Sequence, residues 1–135
     1  MAWDTRVELA DLDGDGQPEV IAQASGIGPC GGTGNCLFWV FQMTSEGPKA
    51  ILDSSTWGTF ELITVRPWST NGYRDIVLAD HGDTSGQDVY SFKFANGAYR
   101  ANSCFRADWL DDRGEARSSP ELTPMRCETA GQKAK

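Results

Sequence analysis

The side chains best suited to chemistry lie in one acidic segment, where Asp11, Asp13 and Asp15 alternate along the chain and Gln17 and Glu19 follow at the same spacing. In a bare turn these carboxylates would repel one another. Two glycines between them permit a sharp turn, and carboxylate and carbonyl oxygens are the ligands that a hard cation takes. The spacing therefore predicts a loop around one structural calcium ion, with side-chain oxygens from the aspartates and Glu19 and the backbone carbonyl of Gln17.

Two other interpretations of this segment stay open. An EF-hand loop begins with the same spacing, but Ala22 stands at the twelfth position, where an EF-hand needs a bidentate Glu. Pro18 has no N–H for the pairing made at the eighth position, and the flanking residues alternate as strands rather than as helices. The second alternative is an acidic turn that holds no metal.

The segments around the acidic loop predict β-structure. Val7 and Leu9 alternate with polar neighbours, which is the pattern of a half-buried strand, and residues 36–43 form an apolar run typical of a central strand. The predicted strands are 6–10, 19–24, 36–43, 49–52, 57–65, the end of 68–78, 88–94 and 98–101. Within 57–65 we expect Phe60 and Leu62 to share one face. After Cys104 the pattern fades, and one or two helical turns are expected within 107–117.

An internal repeat is visible in these strands. Residues 15–21 align with 71–77, and 39–43 align with 90–94, at an offset of about 50 to 56 residues that is typical of blade-type β repeats. Pro67 and Ser69 stand where the second copy would need Asp11 and Asp13, so one calcium is expected and not two. The predicted fold is a single all-β domain. It has two degenerate four-stranded blade-like repeats, about 5–55 and 57–103, packed as a compact sandwich or partial propeller, and an irregular C-terminal segment at 104–135.

Residues 9–21, which read L-A-D-L-D-G-D-G-Q-P-E-V-I, resemble the calcium loop of FG-GAP and VCBS repeats. These repeats form the β-propeller blades of integrin α-subunits and of many secreted bacterial proteins. The resemblance implies a calcium loop within a β-hairpin. Its implied ligands are Asp11, Asp13, Asp15, Gln17 and Glu19. The family usually has Asp where Glu19 stands, and its Phe-Gly and Gly-Ala-Pro signatures are absent here.

The cysteines indicate the compartment. Their even number in a small acidic chain favours two disulfides and an oxidising, periplasmic or secreted location. Three pairings are possible, and we favour Cys30–Cys36 and Cys104–Cys127 because each closes a local segment. Four free thiols in a cytosolic protein are the alternative. Residues 1–4 lack the features of a signal peptide, so we expect a mature chain whose export signal has been removed. No apolar run is long enough to span a membrane.

The remaining candidates concern binding and catalysis. A net charge of −7 argues against nucleic acid and anionic lipid as partners. His81 lies between acidic residues without a nucleophile elbow, zinc motif or phosphate loop, so we expect a surface histidine. Tryptophan and tyrosine side chains anchor interfaces and stack on sugars. The candidate binding surface therefore comprises Trp57, Trp68, Tyr73, His81 and Trp109.

These observations favour a non-enzymatic module that binds a protein partner. A periplasmic inhibitor or immunity protein is one type of such a module. We favour a monomer, and an oligomer that completes a ring is the alternative. The alternatives are a carbohydrate-binding, lectin-like domain that uses aromatic side chains near residues 26–35 or 68–73, and a hydrolase that uses His81.

Overall fold

The structure is a computed structural model that describes residues 4–26, 30, 34–82 and 85–133. The strands in these ranges are β1 (Asp4–Ala10), β2 (Glu19–Ser25), β3 (Phe38–Thr44), β4 (Gly47–Asp53), β5 (Leu62–Thr70), β6 (Tyr73–Ala79), β7 (Gly86–Ala95), β8 (Ala98–Leu110) and β9 (Ala116–Met125). A short 3-10 helix spans Ser54–Thr56, and α1 spans Ala130–Lys133.

The strands form two antiparallel sheets in which each strand pairs with its neighbours in sequence. The first sheet has the order β1-β2-β3-β4, and the second has the order β5-β6-β7-β8-β9. The prediction of an all-β fold with two packed sheets is confirmed. The segments aligned in the sequence occupy the same place in each sheet, since residues 15–21 and 71–77 lead into β2 and β6, and 39–43 and 90–94 lie in β3 and β7.

One core lies between the two sheets. Inward-facing residues of the first sheet pack against inward-facing residues of the second, and alternation along each strand puts these side chains on one face. The buried apolar residues include Ile21, Phe38, Val40 and Leu52 from the first sheet, and Ile76, Leu78, Tyr90 and Phe92 from the second. An isolated β-bridge between Cys36 and Phe60 also connects the segments that flank the sheets.

The predicted irregular C-terminal segment is wrong. Residues 98–110 form the longest strand of the described chain, and β9 pairs with it from Cys104↔Met125 to Leu110↔Ala116. The sequence is misleading here because it contains Pro120 and Pro124, and proline disrupts a central strand but is tolerated on an edge strand or in a bulge. Here β9 is an edge strand, and Pro120 lies where the register shifts between the Asp108 and Leu110 pairs.

Two predictions for residues 57–65 are also wrong. Trp57 and the residues next to it follow the 3-10 helix, and β5 begins only at Leu62. Phe60 is buried, whereas Leu62 is exposed, so the two do not share a face. The break arises because Phe60 pairs with Cys36 in the isolated bridge and not with the strands of the second sheet.

Candidate functional site

The acidic segment forms the connection between β1 and β2, and we call residues 11–18 the Asp loop. Asp11, Asp13 and Asp15 each direct one carboxylate oxygen to a common point, where these atoms lie within 4.8 Å of one another. Asp11 and Asp13 are half-buried, and Asp15 is exposed. The structure therefore brings together the three aspartates that the sequence predicted as ligands.

Hydrogen bonds within the Asp loop hold this arrangement. The two carboxylate oxygens of Asp11 accept from the backbone N–H groups of Gly14 and Gly16, each at 2.9 Å. Asp13 and Asp15 each accept from the N–H two residues further on. Gly14 and Gly16 have φ angles of +75° and +86°, which favour glycine. The sequence of the loop thus folds the backbone around its own carboxylates.

Glu19, the fourth predicted acidic ligand, lies at the start of β2 and is 2% exposed. Its Oε1 accepts from the backbone N–H of Leu12 at 2.7 Å. Leu12, the second residue of the loop, is buried in the core, and its carbonyl accepts from the backbone N–H of Arg74 at 2.8 Å. The Asp loop is therefore attached to the second sheet at the first residues of β6.

Gln42 and Tyr73 form the opposite side of this region. The Gln42 side-chain amide donates to the Tyr73 hydroxyl at 2.7 Å, and the Tyr73 ring stacks on Phe94 with centroids 3.8 Å apart. A cavity of about 350 Å³ lies beside the loop, and Asp15, Glu19 and Gln42 are among its lining residues. Gln17, the remaining predicted ligand, is exposed and also lines this cavity.

The electrostatics of the region are unfavourable to further negative charge. Burial raises the pKa of Asp13, and the carboxylates of Asp15 and Asp11 raise it further. Burial also raises the pKa of Glu19, and the charges of Asp13 and Asp15 add to that effect. Burial and then the Asp13 and Glu19 charges raise the pKa of Tyr73. A convergent set of oxygen donors with excess negative charge fits a hard cation such as Ca²⁺.

The second sheet also has a buried carboxylate. Asp75 is 1% exposed, and its Oδ2 lies 2.6 Å from the ammonium of Lys93 on β7. That ammonium also donates to Thr70 at 3.2 Å. The connection from β5 to β6 is only the Asn71-Gly72 turn, in which both residues have positive φ angles, as tight hairpin turns require.

His81 lies at the other end of β6. Its Nδ1 is 2.9 Å from Glu61 Oε2, and its backbone N–H and carbonyl are bonded to the Asn35 side chain. The His81 side chain is 60% exposed, as predicted for a surface histidine. Glu61 lines a cavity of about 600 Å³ that also contacts Arg6 and the cysteines of one disulfide.

The candidate aromatic residues do not form one surface. Trp57 packs edge-on against Tyr90 and Phe92, so it contributes to the core. Trp68, on β5, is 55% exposed and lies under the Arg66 guanidinium. Trp109, on β8, is also exposed, and its Nε1 donates to Gln87.

The strand directions separate the exposed candidates further. Trp68 and Tyr73 lie near the Asn71-Gly72 turn, at the end of the molecule where Arg74 contacts the Asp loop. His81 and Trp109 lie at the other end, where β6 ends and β8 pairs with the start of β7. The predicted binding surface is therefore divided between two ends of the sheets. Most of the loop at 26–35, which was a further candidate, lies outside the described residues.

Both predicted disulfides are confirmed. Cys30–Cys36 and Cys104–Cys127 are bonded, with S–S distances of 2.07 and 2.09 Å. The first closes the connection between β2 and β3, and the second joins β8 to the segment after β9. Two disulfides indicate an oxidising, extracytoplasmic environment.

Sequence reasoning missed the roles of Leu12, Gln42 and the Asp75–Lys93 pair. The internal sequence alignment did give some indication, because it aligns Asp75 with Glu19 and Lys93 with Gln42. A buried carboxylate is therefore present in both copies.

In comparisons with known proteins, no family model, curated protein or solved structure matches the chain. The resemblance of the Asp loop to FG-GAP and VCBS repeats therefore stays a prediction. In the part of the chain that the structure describes, no helix has the length and apolar character needed to cross a membrane.

Proposed function

We propose that the protein is an extracytoplasmic, calcium-stabilised β module that binds another protein. The observation that carries the metal proposal is the convergence of oxygen atoms from Asp11, Asp13 and Asp15 within 4.8 Å, in a loop that is anchored to the core by Leu12. Calcium in this loop would neutralise carboxylates that otherwise repel one another, and it would hold the first sheet against the second.

Calcium removal tests this proposal. The protein is exchanged into chelator, its metal content is measured, and its thermal unfolding is recorded with and without added Ca²⁺. With calcium at 100 times its Kd, the free energy of unfolding should rise by about 2.7 kcal/mol. A midpoint that is the same in calcium and in chelator would contradict the proposal. The Asp13→Asn variant is the matched control, because it keeps the shape of the side chain and removes one charge.

The protein-binding proposal is supported by the outer face of the first sheet. Val7 and Leu9 lie on one face of β1 and are 62% and 61% exposed, and Met43 on β3 is 57% exposed. By the pairing of β1, β2 and β3, half-exposed Val20 and Phe41 lie on this same outer face. Apolar residues grouped on an exposed face mark interaction surfaces.

The charge of the chain favours a basic partner. A net charge of −7 attracts basic surfaces over long range, and an inhibitor or immunity protein of a basic enzyme is one partner type that fits. The test is cross-linking in the envelope fraction, followed by titration with the purified candidate partner. Val7→Ser with Leu9→Ser should weaken binding at least tenfold, while Thr64→Val on the other sheet should leave it unchanged. Equal binding by both variants would exclude this face.

One observation favours a carbohydrate-binding alternative. Trp68 is exposed and stacked with Arg66, and exposed aromatic rings next to polar groups bind sugars. Binding to a glycan array that Trp68→Ala abolishes would support this alternative. The pairing of His81 with Glu61 beside a cavity favours, more weakly, hydrolysis. Turnover of a hydrolase substrate panel that His81→Ala abolishes would support that function.

A further inference from the structure

The edge strands of the two sheets differ in how well they are protected. Three of them, β4, β5 and β9, each contain a proline, and the pairing of each with its neighbouring strand contains a register shift. Both features hinder a further strand from pairing with an edge. β1 has neither, since its register with β2 is unbroken over all seven residues. Among the edges that the structure describes, β1 is therefore the one best suited to pair with another strand.

Both faces of β1 are also open. Residues 5–9 are all exposed, although one face of a strand in a two-sheet fold normally packs on the core. Glu8 and Arg6 are on the inward face, because Glu8 pairs with the core residue Ile21. Val7 is on the outer face and is 62% exposed. Inward-facing charges usually protect an edge strand, but these two have opposite signs and stand two positions apart.

This spacing makes β1 complementary to a second copy of itself. When two copies pair antiparallel about Val7, Arg6 of each copy lies opposite Glu8 of the other, and all seven residues of the strand are paired. A shift by two residues, the smallest that keeps inward side chains on one face, would set Arg6 against Arg6 or Glu8 against Glu8. Opposite charges on directly paired residues stabilise a sheet, and like charges destabilise it. The charges therefore select the register that is centred on Val7.

We propose that β1 pairs with β1 of a second copy of this chain, so that two four-stranded sheets join into one continuous antiparallel sheet. The two copies are related by a twofold axis that passes through the Val7 pair. Pairing along the edge leaves the outer face of each first sheet uncovered, and it involves no residue of the Asp loop. The proposal is therefore independent of the calcium site and of the proposed basic partner. It differs from the monomer that the sequence favours, because only the fold shows that β1 is an edge.

Charge exchange tests the pairing. In sedimentation equilibrium the wild type should form a species of twice the chain mass of 14.7 kDa, with a Kd in the micromolar range because one strand pair buries less area than a standard interface. Arg6→Glu and Glu8→Arg should each weaken self-association about tenfold or more, since each sets like charges opposite one another. An equimolar mixture of these two variants should dimerise as the wild type does. Lys49→Glu, on the other edge of the same sheet, is the matched control and should also dimerise as the wild type does.

A cysteine cross-link tests the register. All four cysteines of the chain are bonded in disulfides, so an added cysteine has no free thiol to pair with in its own chain. Val7→Cys puts two thiols opposite each other, and mild oxidation should give a covalent dimer. Thr5→Cys is the matched control, because its two thiols would lie four residues apart along the strands, about 13 Å, which is beyond the reach of a disulfide. Both positions are exposed, so both variants should fold.

The outcomes separate this proposal from the proposed function. A wild type that stays monomeric at millimolar concentration overturns the edge pairing, and the proposed function stands if a basic partner still binds. The pairing is also overturned if both charge reversals dimerise as strongly as the wild type, or if their mixture stays monomeric. Equal cross-linking of Thr5→Cys and Val7→Cys overturns the register. If circular dichroism shows that a charge reversal unfolds the protein, the two cysteine variants decide between the outcomes.

Discussion

The hairpin β1–β2 and the hairpin β5–β6 each have a buried carboxylate in their second strand and differ in how their strands are connected. Each second strand starts beside a buried carboxylate, Glu19 in one and Asp75 in the other. The first hairpin connects its strands by the acidic Asp loop, whereas the second uses the Asn71-Gly72 turn and the ammonium of Lys93. The comparison shows that a long acidic connection is not required by the β fold itself, and the proposed cation would account for the acidic residues of the Asp loop.

The difference also affects how the two sheets are held together. The Asp loop contributes Leu12 to the shared core and accepts a backbone hydrogen bond from Arg74 of the second sheet. The Tyr99 hydroxyl, from β8, donates to the Arg74 carbonyl at 2.7 Å. A change in the Asp loop can therefore reach the second sheet through Arg74, while the Asp75–Lys93 pair lies within its own sheet.

The largest expected effect comes from breaking the internal ion pair. Lys93→Met leaves Asp75 buried and unpaired, and we expect a loss of about 3 kcal/mol, at the low end for buried pairs because Lys93 is 37% exposed. The measurement is urea unfolding. Lys49→Met is the control, because Lys49 is an exposed lysine on β4. The double variant Asp75→Asn, Lys93→Met should recover most of the loss. If Lys93→Met is as stable as the control, the two hairpins are not compensated as we describe.

The second largest effect is expected on calcium removal, and it should be confined to the hairpin β1–β2. Removing calcium with chelator should cost about 2.7 kcal/mol if the metal was present at 100 times its Kd. Hydrogen exchange should then accelerate at the amides of β1, β2 and the Asp loop, which the proposed metal would hold. Amides of β6 and β7 that face the Asp75–Lys93 pair should change much less. Equal acceleration in both sheets would show that the cation has no local role.

A smaller difference is expected between the two disulfides in what each contributes to the free energy of unfolding. Cys104–Cys127 closes a separation of 23 residues, and Cys30–Cys36 closes one of 6. By the chain-entropy model, replacing the first pair with alanines should cost about 1 kcal/mol more than replacing the second. Thermal unfolding of the two double variants measures this. A larger loss from the Cys30–Cys36 pair would mean that the connection between β2 and β3 contributes contacts beyond chain entropy.

The sequence predicted those features that depend on local patterns. Alternation identified most strands, and the carboxylate spacing identified the Asp loop. What could not be predicted depends on tertiary position. The prolines of β9 are tolerated because that strand is an edge, and Trp57 is half-buried because Tyr90 and Phe92 lie against it. Neither fact is contained in a window of neighbouring residues.

The role of Lys93 also depends on tertiary position and could not be predicted from neighbouring residues. On β7 it reads as one polar residue in an alternating strand, and nothing nearby in the sequence marks it as the partner of a buried carboxylate. The pairing depends on the register between β6 and β7, which brings residues 18 positions apart together.

The smallest expected effect concerns an acidic turn that needs no cation. Asp111 lies between β8 and β9, and one of its oxygens accepts from the backbone N–H groups of Arg113 and Glu115, each at 2.9 Å. These hydrogen bonds lower the pKa of Asp111 below its ordinary value of 3.8, in contrast to the raised pKa of Asp13. A lowered pKa in the folded state means that the carboxylate stabilises the fold above about pH 3.8 and that this stability is lost as the pH falls through the lower value.

Asp111→Asn isolates that contribution, because its amide oxygen can still accept the two hydrogen bonds but does not titrate in this range. Melting midpoints of both proteins are compared from about pH 5 to pH 2, with Asp112→Asn as the control for charge alone. The wild type should lose slightly more stability than Asp111→Asn on acidification, and Asp112→Asn should follow the wild type. A wild type and an Asp111→Asn variant with identical pH dependence would mean that the carboxylate gains nothing from the turn. An aspartate with two backbone N–H donors would then be no better compensated than the crowded aspartates of the Asp loop.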